Sequence, residues 1–276
     1  MAGSGYGSSK IIINLLKLGS EFNNIKATYT LASILYEGLG EVKRDKEGAK
    51  IIMKQLSDER VPLAMVKYGV WLVQENNREG LKYLNEAAEA KIDLAYNQLG
   101  HLYRKGRLVP KDENKAKEYY QLAALQGSPE SEFYLGIIKS RETTPNHKEV
   151  ISHFEKAAMS GMGEAQYNLG LKYMLGEGID KNFNLCKEYW QMAANQKFPL
   201  AMLNLAKLYL QGIDGKIERE KARNLLIEMN ELFKNTKYAM DSNTLLSTID
   251  NPDPNLLKIN TDNSNNNKDK GGCSIM

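Results

Sequence analysis

Cysteine is almost absent from the sequence, whose 276 residues contain only Cys186 and Cys273. Two cysteines so far apart do not form the framework of a small disulfide-rich domain, and no further cysteine or histidine lies beside them at metal-ligand spacing. Sparse cysteine of this kind is typical of proteins that work in a reducing compartment. We therefore expect a cytoplasmic location.

Long apolar runs and a strong excess of one charge are also missing. The apolar stretch at residues 11–16 is interrupted by Asn14, and no segment approaches the roughly 18 apolar residues of a membrane-spanning helix. We therefore expect neither secretion nor a membrane span. The 37 basic and 34 acidic residues give a net charge of +3, which does not indicate binding of nucleic acid.

Residues that could carry catalysis or bind a metal are few and scattered. His101 falls within a predicted helix stripe, where packing or surface exposure is the simplest interpretation. His147 and His153 lie near Glu149 but lack the spacing of a zinc motif. Cys186 lies in a predicted helix, where we expect a buried or half-buried thiol rather than a nucleophile. The sequence thus predicts no catalytic residue, no metal site and no cofactor.

What the sequence does contain is an internal repeat. Ala-Ala pairs fall at 87/88, 123/124, 157/158 and 193/194, which are 36, 34 and 36 residues apart. Leu-Gly pairs at 99/100, 135/136 and 169/170 are again 36 and 34 residues apart. Such a period is typical of helical units that cannot bury their apolar faces alone and therefore stack in arrays.

The unit at 95–131 shows the chemistry of a helix pair. Ala95, Leu99 and Tyr103 recur every four residues, which predicts a helix with one apolar stripe. Gly106 follows where this helix should end, because glycine tolerates the left-handed capping conformation. Asp112 is a suitable start for a second helix. The small residues of the Leu-Gly and Ala-Ala pairs would let neighbouring helices approach closely.

These units resemble Sel1-like repeats, relatives of the tetratricopeptide repeat, with the pattern A-x3-L-G-x2-Y-x2-G and then D-x2-K-A-x2-Y-x2-A-A. The resemblance spans about residues 25–235 and is most complete at 95–130 and 165–200. The first unit has Ala32 where glycine is usual, and the second and fourth have altered turns. The resemblance implies an all-α fold, a right-handed α-solenoid of about six antiparallel helix pairs. We assign it to residues 11–235, after a flexible N-terminus at 1–10.

The periodicity stops near residue 235, and the chain that follows is rich in Asn, Asp, Pro and Gly. We interpret residues 236–272 as a flexible, disordered Asn-rich tether, because so few apolar residues cannot offset the entropy of ordering. The last four residues, Cys273, Ser274, Ile275 and Met276, match the C-a-a-X prenylation signal. Methionine in the final position favours farnesyl. Cys273 is therefore the predicted acceptor, and the other three are the recognition tripeptide that is removed.

A single farnesyl chain gives only marginal membrane binding, and stable attachment usually needs a second signal. The tail offers no polybasic patch, since its lysines are matched by aspartates; these are Lys258, Lys268, Lys270, Asp253, Asp262 and Asp269. We therefore expect reversible attachment. A membrane protein bound to the concave face of the solenoid would supply the second contact, and a prenyltransferase would be a further partner.

Sel1-like repeats that end in a prenylation box are similar to the fungal chitin synthase activators. This resemblance implies a non-enzymatic scaffold that binds and regulates a partner at the cytoplasmic face of a membrane. The alternative is a soluble signalling or quality-control scaffold without a lipid anchor. Related adaptors of the endoplasmic reticulum lumen need a signal peptide, which we do not find. Repeat proteins described as β-lactamases carry paired cysteines, which this sequence lacks.

Overall fold

The computed structural model describes residues 8–40, 42–212, 215–251 and 253–259. These residues form fourteen helices and, apart from one isolated bridge between Leu39 and Val42, no β-structure. The predicted all-α class is confirmed. The helices are α1 (Ser8–Glu21), α2 (Ile25–Glu37), α3 (Lys46–Asp58), α4 (Pro62–Gln74), α5 (Glu79–Glu89), α6 (Asp93–Lys105), α7 (Glu113–Ala124), α8 (Pro129–Ser140), α9 (His147–Met159), α10 (Gly163–Leu175), α11 (Phe183–Asn195), α12 (Pro199–Gln211), α13 (Arg219–Leu232) and α14 (Lys237–Ser247).

The chain divides into two compact units. Unit 1 ends at Ser131 and unit 2 begins at Glu132, so the division falls inside α8. Consecutive helices pack against each other from α1 to α7 in unit 1 and from α9 to α14 in unit 2. The short connections between packed neighbours make them antiparallel. Each unit is therefore a stack of helix pairs, as the repeat spacing predicts.

The turn inside a helix pair is built in the same way in the third and fifth repeats. Gly106 ends α6 with a left-handed φ of 68°, and the side chain of Asp112 then caps the start of α7. The backbone N–H of Asp112 donates to the carbonyl of Tyr103 at 2.9 Å. Gly176 and Asn182 have the same roles between α10 and α11. The predicted helix end at Gly106 and helix start at Asp112 are confirmed.

Glycine lets the two helices of a pair approach each other at three corresponding positions. An added Cβ there would lie only 2.5–2.8 Å from a ring atom of an aromatic side chain on the second helix. A separation under 3 Å leaves no room for a methyl group. The aromatic ring therefore packs directly on the helix backbone. The pairs are Gly100 with Tyr120, Gly136 with Phe154, and Gly170 with Trp190.

The structure corrects the predicted boundaries of the repeat region. Residues 237–247, which the sequence analysis assigns to the flexible tether, form α14 against α13. This helix buries Ala239, Ser242 and Leu245, and the Ser242 hydroxyl donates to the carbonyl of Leu226 at 2.6 Å. Sparse apolar residues suffice here because they share one helix face. At the other end α1 begins at Ser8, within the predicted flexible N-terminus.

None of the helices in the described ranges is long and apolar enough to cross a membrane. Helix α1 carries a stripe of exposed apolar side chains, which are 50–63% exposed: Ile11, Leu15 and Leu18. These positions share one face because they recur at three- and four-residue intervals. That face of unit 1 is therefore solvent-exposed.

Cys186 lies in the core of unit 2, as predicted. It is fully buried in α11 among the residues that pack around Trp190. Burial disfavours the charged thiolate and raises the pKa of Cys186 to about 12. At neutral pH the thiol is consequently both inaccessible and protonated.

Replacing Gly170 with alanine should destabilise the fold. The new Cβ would lie 2.5 Å from Trp190 Cδ1 and 3.2 Å from the Cys186 carbonyl oxygen, so backbone as well as side chain must shift. Overpacking of this kind costs about 1–3 kcal/mol, which denaturant unfolding would measure. Gly163→Ala is the matched control, because its Cβ meets nothing closer than 3.4 Å. An equal loss in both variants would contradict the tight-packing explanation.

The thiol of Cys186 should resist modification until the protein unfolds. In a Cys273→Ser chain, a maleimide or dithiobis reagent at pH 8 should leave Cys186 unmodified in buffer and modify it fully in denaturant. Mass spectrometry over a denaturant series provides the measurement. Rapid labelling in buffer, at a rate near that of a free thiol, would show that the core of unit 2 is open to solvent.

Candidate functional site

Helix α12 carries a row of polar side chains although it is the most enclosed helix of unit 2. It packs against α11, α13 and α14, and residues 200–210 are all buried. Asn204, Lys207 and Gln211 follow one another at intervals of three and four residues and therefore lie on one face of the helix. Buried polar groups need hydrogen-bond partners, and the partners on this face come from distant parts of the chain.

The main partner is the segment 253–259, which we call the strap. Lys207 Nζ donates to the carbonyl of Lys258 at 2.7 Å, and Gln211 Nε2 donates to the carbonyl of Leu257 at 2.8 Å. Both contacts are made to the backbone of the strap rather than to its side chains. The row on α12 therefore recognises a stretch of main chain.

One side chain anchors the strap in the core. Leu257 is 9% exposed and belongs to the apolar cluster of unit 2, against which Leu256 and Ile259 also pack. Asp253 shapes the start of the strap, because its side chain accepts the N–H of Asn255 at 2.8 Å and its carbonyl accepts the N–H of Leu256 at 2.9 Å. The strap is thus a short turn followed by an apolar anchor.

Burial sets the electrostatic environment of the row. Burial lowers the pKa of Lys207, and the carboxylate of Asp241 acts in the opposite direction. Gln211 uses its amide nitrogen on the strap, but its Oε1 atom is buried without a hydrogen-bond partner in the described structure. An unsatisfied buried acceptor is uncommon in folded proteins. Gln211 therefore has an open acceptor beside the strap backbone.

Asn204 connects the row to the preceding repeat. Its Nδ2 donates to the hydroxyl of Tyr167 at 3.2 Å. Burial raises the pKa of Tyr167, and the Asn204 hydrogen bond acts in the opposite direction. Tyr167 in turn accepts the indole N–H of Trp190 through its carbonyl at 3.0 Å. The first helices of these two repeats are thus fixed relative to each other.

A cleft of about 430 Å³ opens between α8, α9 and α10 in unit 2. Leu171 and Leu175 of α10 precede Lys207 and Gln211 of α12 by 36 residues each, so they occupy the corresponding repeat positions. They also belong to the same apolar cluster as Leu257. The cleft therefore lies at the repeat position that corresponds to the strap site, and both polar and apolar side chains line it. Its lining residues are Ile137, Ser140, Phe154, Asn168, Leu171, Lys172, Leu175 and Glu177.

The predicted lipidation residues, Cys273, Ser274, Ile275 and Met276, lie outside the described residues. The prediction that they are modified therefore stays a prediction. The strap precedes them in the same tail.

The histidines lie in separate polar networks of the two units. In unit 1, His101 contacts Glu130 Oε1 and the Tyr120 hydroxyl, each at 2.9 Å. In unit 2, His153 Nδ1 lies 2.6 Å from Glu132 Oε2. Within the described ranges no group of three or more His, Cys, Asp or Glu side chains could hold a metal ion. Both rings are mostly buried and joined to neighbouring helices, which indicates packing roles.

Sequence reasoning missed the strap site. Asn204, Lys207 and Gln211 interrupt an otherwise apolar helix, and polar residues in such a setting signal a buried hydrogen-bonding role. Leu256, Leu257 and Ile259 were a second signal, because they form an apolar group inside an otherwise polar tail. Neither pattern alone indicates that the two segments meet.

Comparison with known proteins agrees with the repeat architecture. The Sel1 repeat model matches residues 25–59, 63–91, 93–128, 129–162, 163–198 and 199–231. Among solved structures, a protective antigen of uropathogenic Escherichia coli superposes with a TM-score of 0.66 and 26% identity, covering 86% of this chain and 51% of that one. A Sel1 repeat protein from Oxalobacter formigenes gives 0.68 at 24% identity, covering 80% and 66%.

Curated relatives include two fungal regulators. Chitin synthase regulator SKT5 of Saccharomyces cerevisiae is 28% identical over 217 residues, 72% of this chain and 31% of that protein. Chitin synthase regulatory factor 2 of Schizosaccharomyces pombe is 23% identical over 228 residues, 76% of this chain and 37% of that protein. The chain thus spans about a third of the length of these relatives. The six repeat matches cover most of its helical region, and the chain belongs to the Sel1 repeat family.

Proposed function

We propose that this protein is a non-enzymatic scaffold that binds and regulates a partner protein at the cytoplasmic face of a membrane, in the manner of a chitin synthase regulator. The supporting observation is the similarity to two proteins named as chitin synthase regulators, which extends through 72–76% of the chain. Stacked repeats suit this role because they present long surfaces for recognition. Partner binding, rather than chemistry on a small substrate, is the proposed activity.

The α12 row is consistent with a binding role. Lys207 and Gln211 hold a stretch of backbone with side-chain donors, and Leu257 fills an apolar position beside them. Donors for main-chain carbonyls beside an apolar anchor are the parts from which peptide-recognition grooves are built. The fold therefore contains hydrogen-bond donors and an apolar site that suit the binding of a partner peptide.

Farnesylation of Cys273 is the proposed means of membrane attachment. A single lipid chain binds membranes weakly and reversibly, so the tail alone would not fix the location of the protein. A membrane partner held by the repeats adds a second contact, and two linked contacts bind far more tightly than either one. In this scheme the lipid and the repeats act together.

Substituting Cys273 with serine should abolish lipidation. Expressed in a eukaryotic cell, the wild-type chain should gain the mass of a farnesyl group and lose its last three residues, and it should fractionate with membranes. The Cys273→Ser chain should show neither change, because serine lacks the acceptor thiol. Met276→Leu is the matched control, since leucine in the last position directs geranylgeranylation. An unmodified wild-type chain would support the soluble scaffold instead.

The repeats should contribute to membrane retention beyond the lipid. A fluorescent protein fused to residues 260–276 carries the lipidation signal alone, and we expect a smaller membrane-bound fraction for it than for the full chain, because it lacks the second contact. Quantitative fractionation of both proteins from the same cells provides the measurement. Equal retention would remove the need for a membrane partner.

A further inference from the structure

We infer that the strap is an intramolecular ligand in a peptide-binding groove on α12, and that a leucine-containing segment of the partner protein that forms the same turn displaces it. This inference rests on the proposed scaffold function and names the surface through which it acts. The groove consists of the row Asn204, Lys207 and Gln211 together with the apolar cluster around Leu257.

The hydrogen bonds between groove and strap do not depend on the sequence of the strap. Lys207 and Gln211 donate to the carbonyls of two consecutive residues, Lys258 and Leu257. Every peptide that forms the same turn presents the same carbonyls. A segment from another protein can therefore replace these contacts without loss. The specificity of binding therefore depends on the side chain that enters the apolar cluster around Leu257.

The strap is an incomplete ligand for this groove. Gln211 Oε1 remains buried without a donor while the strap is in place. A partner peptide that donates a backbone N–H to this oxygen satisfies a group that the strap leaves unsatisfied. The advantage of the strap is its attachment to the same chain, which gives it a high effective concentration. A better-matched peptide can overcome that advantage.

The strap is also held by few side chains. Leu257 is its one buried residue and Leu256 and Ile259 are half-buried, whereas Asp253, Pro254, Asn255 and Lys258 are exposed. Segments with few buried contacts open locally at a small fraction of the cost of global unfolding. The strap can therefore leave α12 while the helices of unit 2 remain folded.

A synthetic peptide of the strap sequence NPDPNLLKINTD provides the test. The full chain with Leu257→Asp should release its own strap, because a carboxylate cannot remain in the apolar cluster. Peptide-observed NMR should detect binding of the peptide to this variant. The wild-type chain should bind the peptide at least about tenfold more weakly than the variant, since its attached strap competes. Circular dichroism and thermal melting would establish that the variant is folded.

Two sets of controls locate the binding. Asn255→Ala leaves the strap contacts intact and should bind the peptide as weakly as the wild-type chain. Lys207→Met and Gln211→Met, each added to Leu257→Asp, should weaken peptide binding about tenfold, because each removes a donor to a strap carbonyl. A peptide with aspartate in place of its second leucine should not bind. Should Leu257→Asp fail to fold, the milder Leu257→Ala takes its place with the same ranking expected.

Several outcomes would overturn the inference. Peptide binding that is absent from the released variant, or equal in the released and wild-type chains, would show that the strap is not a ligand of this groove. A wild-type dimer that becomes monomeric on Leu257→Asp would make the occupant a second copy of the chain. The proposed function is tested separately by membrane retention of the full chain. If the groove does not bind the peptide but the full chain is still retained at membranes, the proposed scaffold function stands without the groove. If the groove binds the peptide but retention does not depend on the repeats, the groove stands without that function.

Discussion

The fold depends on the close approach of two helices across a glycine. At Gly100, Gly136 and Gly170 the space that a Cβ would need is filled by an aromatic ring of the second helix. This contact fixes the distance and rotation of the pair, because rigid rings and a bare helix backbone leave little freedom. The pair still exposes apolar side chains on its outer faces. Stacking another pair covers these side chains and extends the array.

Burial inside the array limits which residue types the first helix of each repeat can contain. Helix α12 is covered by α11, α13 and α14, so a polar residue there must find a hydrogen-bond partner or destabilise the fold. Asn204 meets this requirement through Tyr167 of the preceding repeat. Lys207 and Gln211 meet it through the strap, which comes from a part of the chain some 50 residues later. The strap therefore supplies main-chain acceptors to this face of α12, although Gln211 Oε1 remains without a donor.

Sequence periodicity predicted the helix pairs because both helix stripes and caps are local properties. Gly106 and Asp112 act within a few residues of their own position, so their roles can be recognised from the sequence alone. The sequence did not predict helix α14 and the strap, because the average composition of this polar stretch conceals a few apolar residues at positions that become buried. Leu245 and Leu257 are buried by segments far away in the chain, and only the folded structure brings those contacts together.

The same tail carries both the strap and the predicted farnesyl acceptor, and this arrangement couples the two proposed activities. A strap bound to α12 is held at Leu257 and Lys258, 16 and 15 residues before Cys273. Displacement by the inferred partner peptide would release the strap and so lengthen the connection between the repeats and Cys273. A longer connection would impose less restraint on the predicted farnesyl group at a membrane. Because coupling between two binding events is reciprocal, restraint of the tail at a membrane would in turn favour release of the strap and hence binding of the partner.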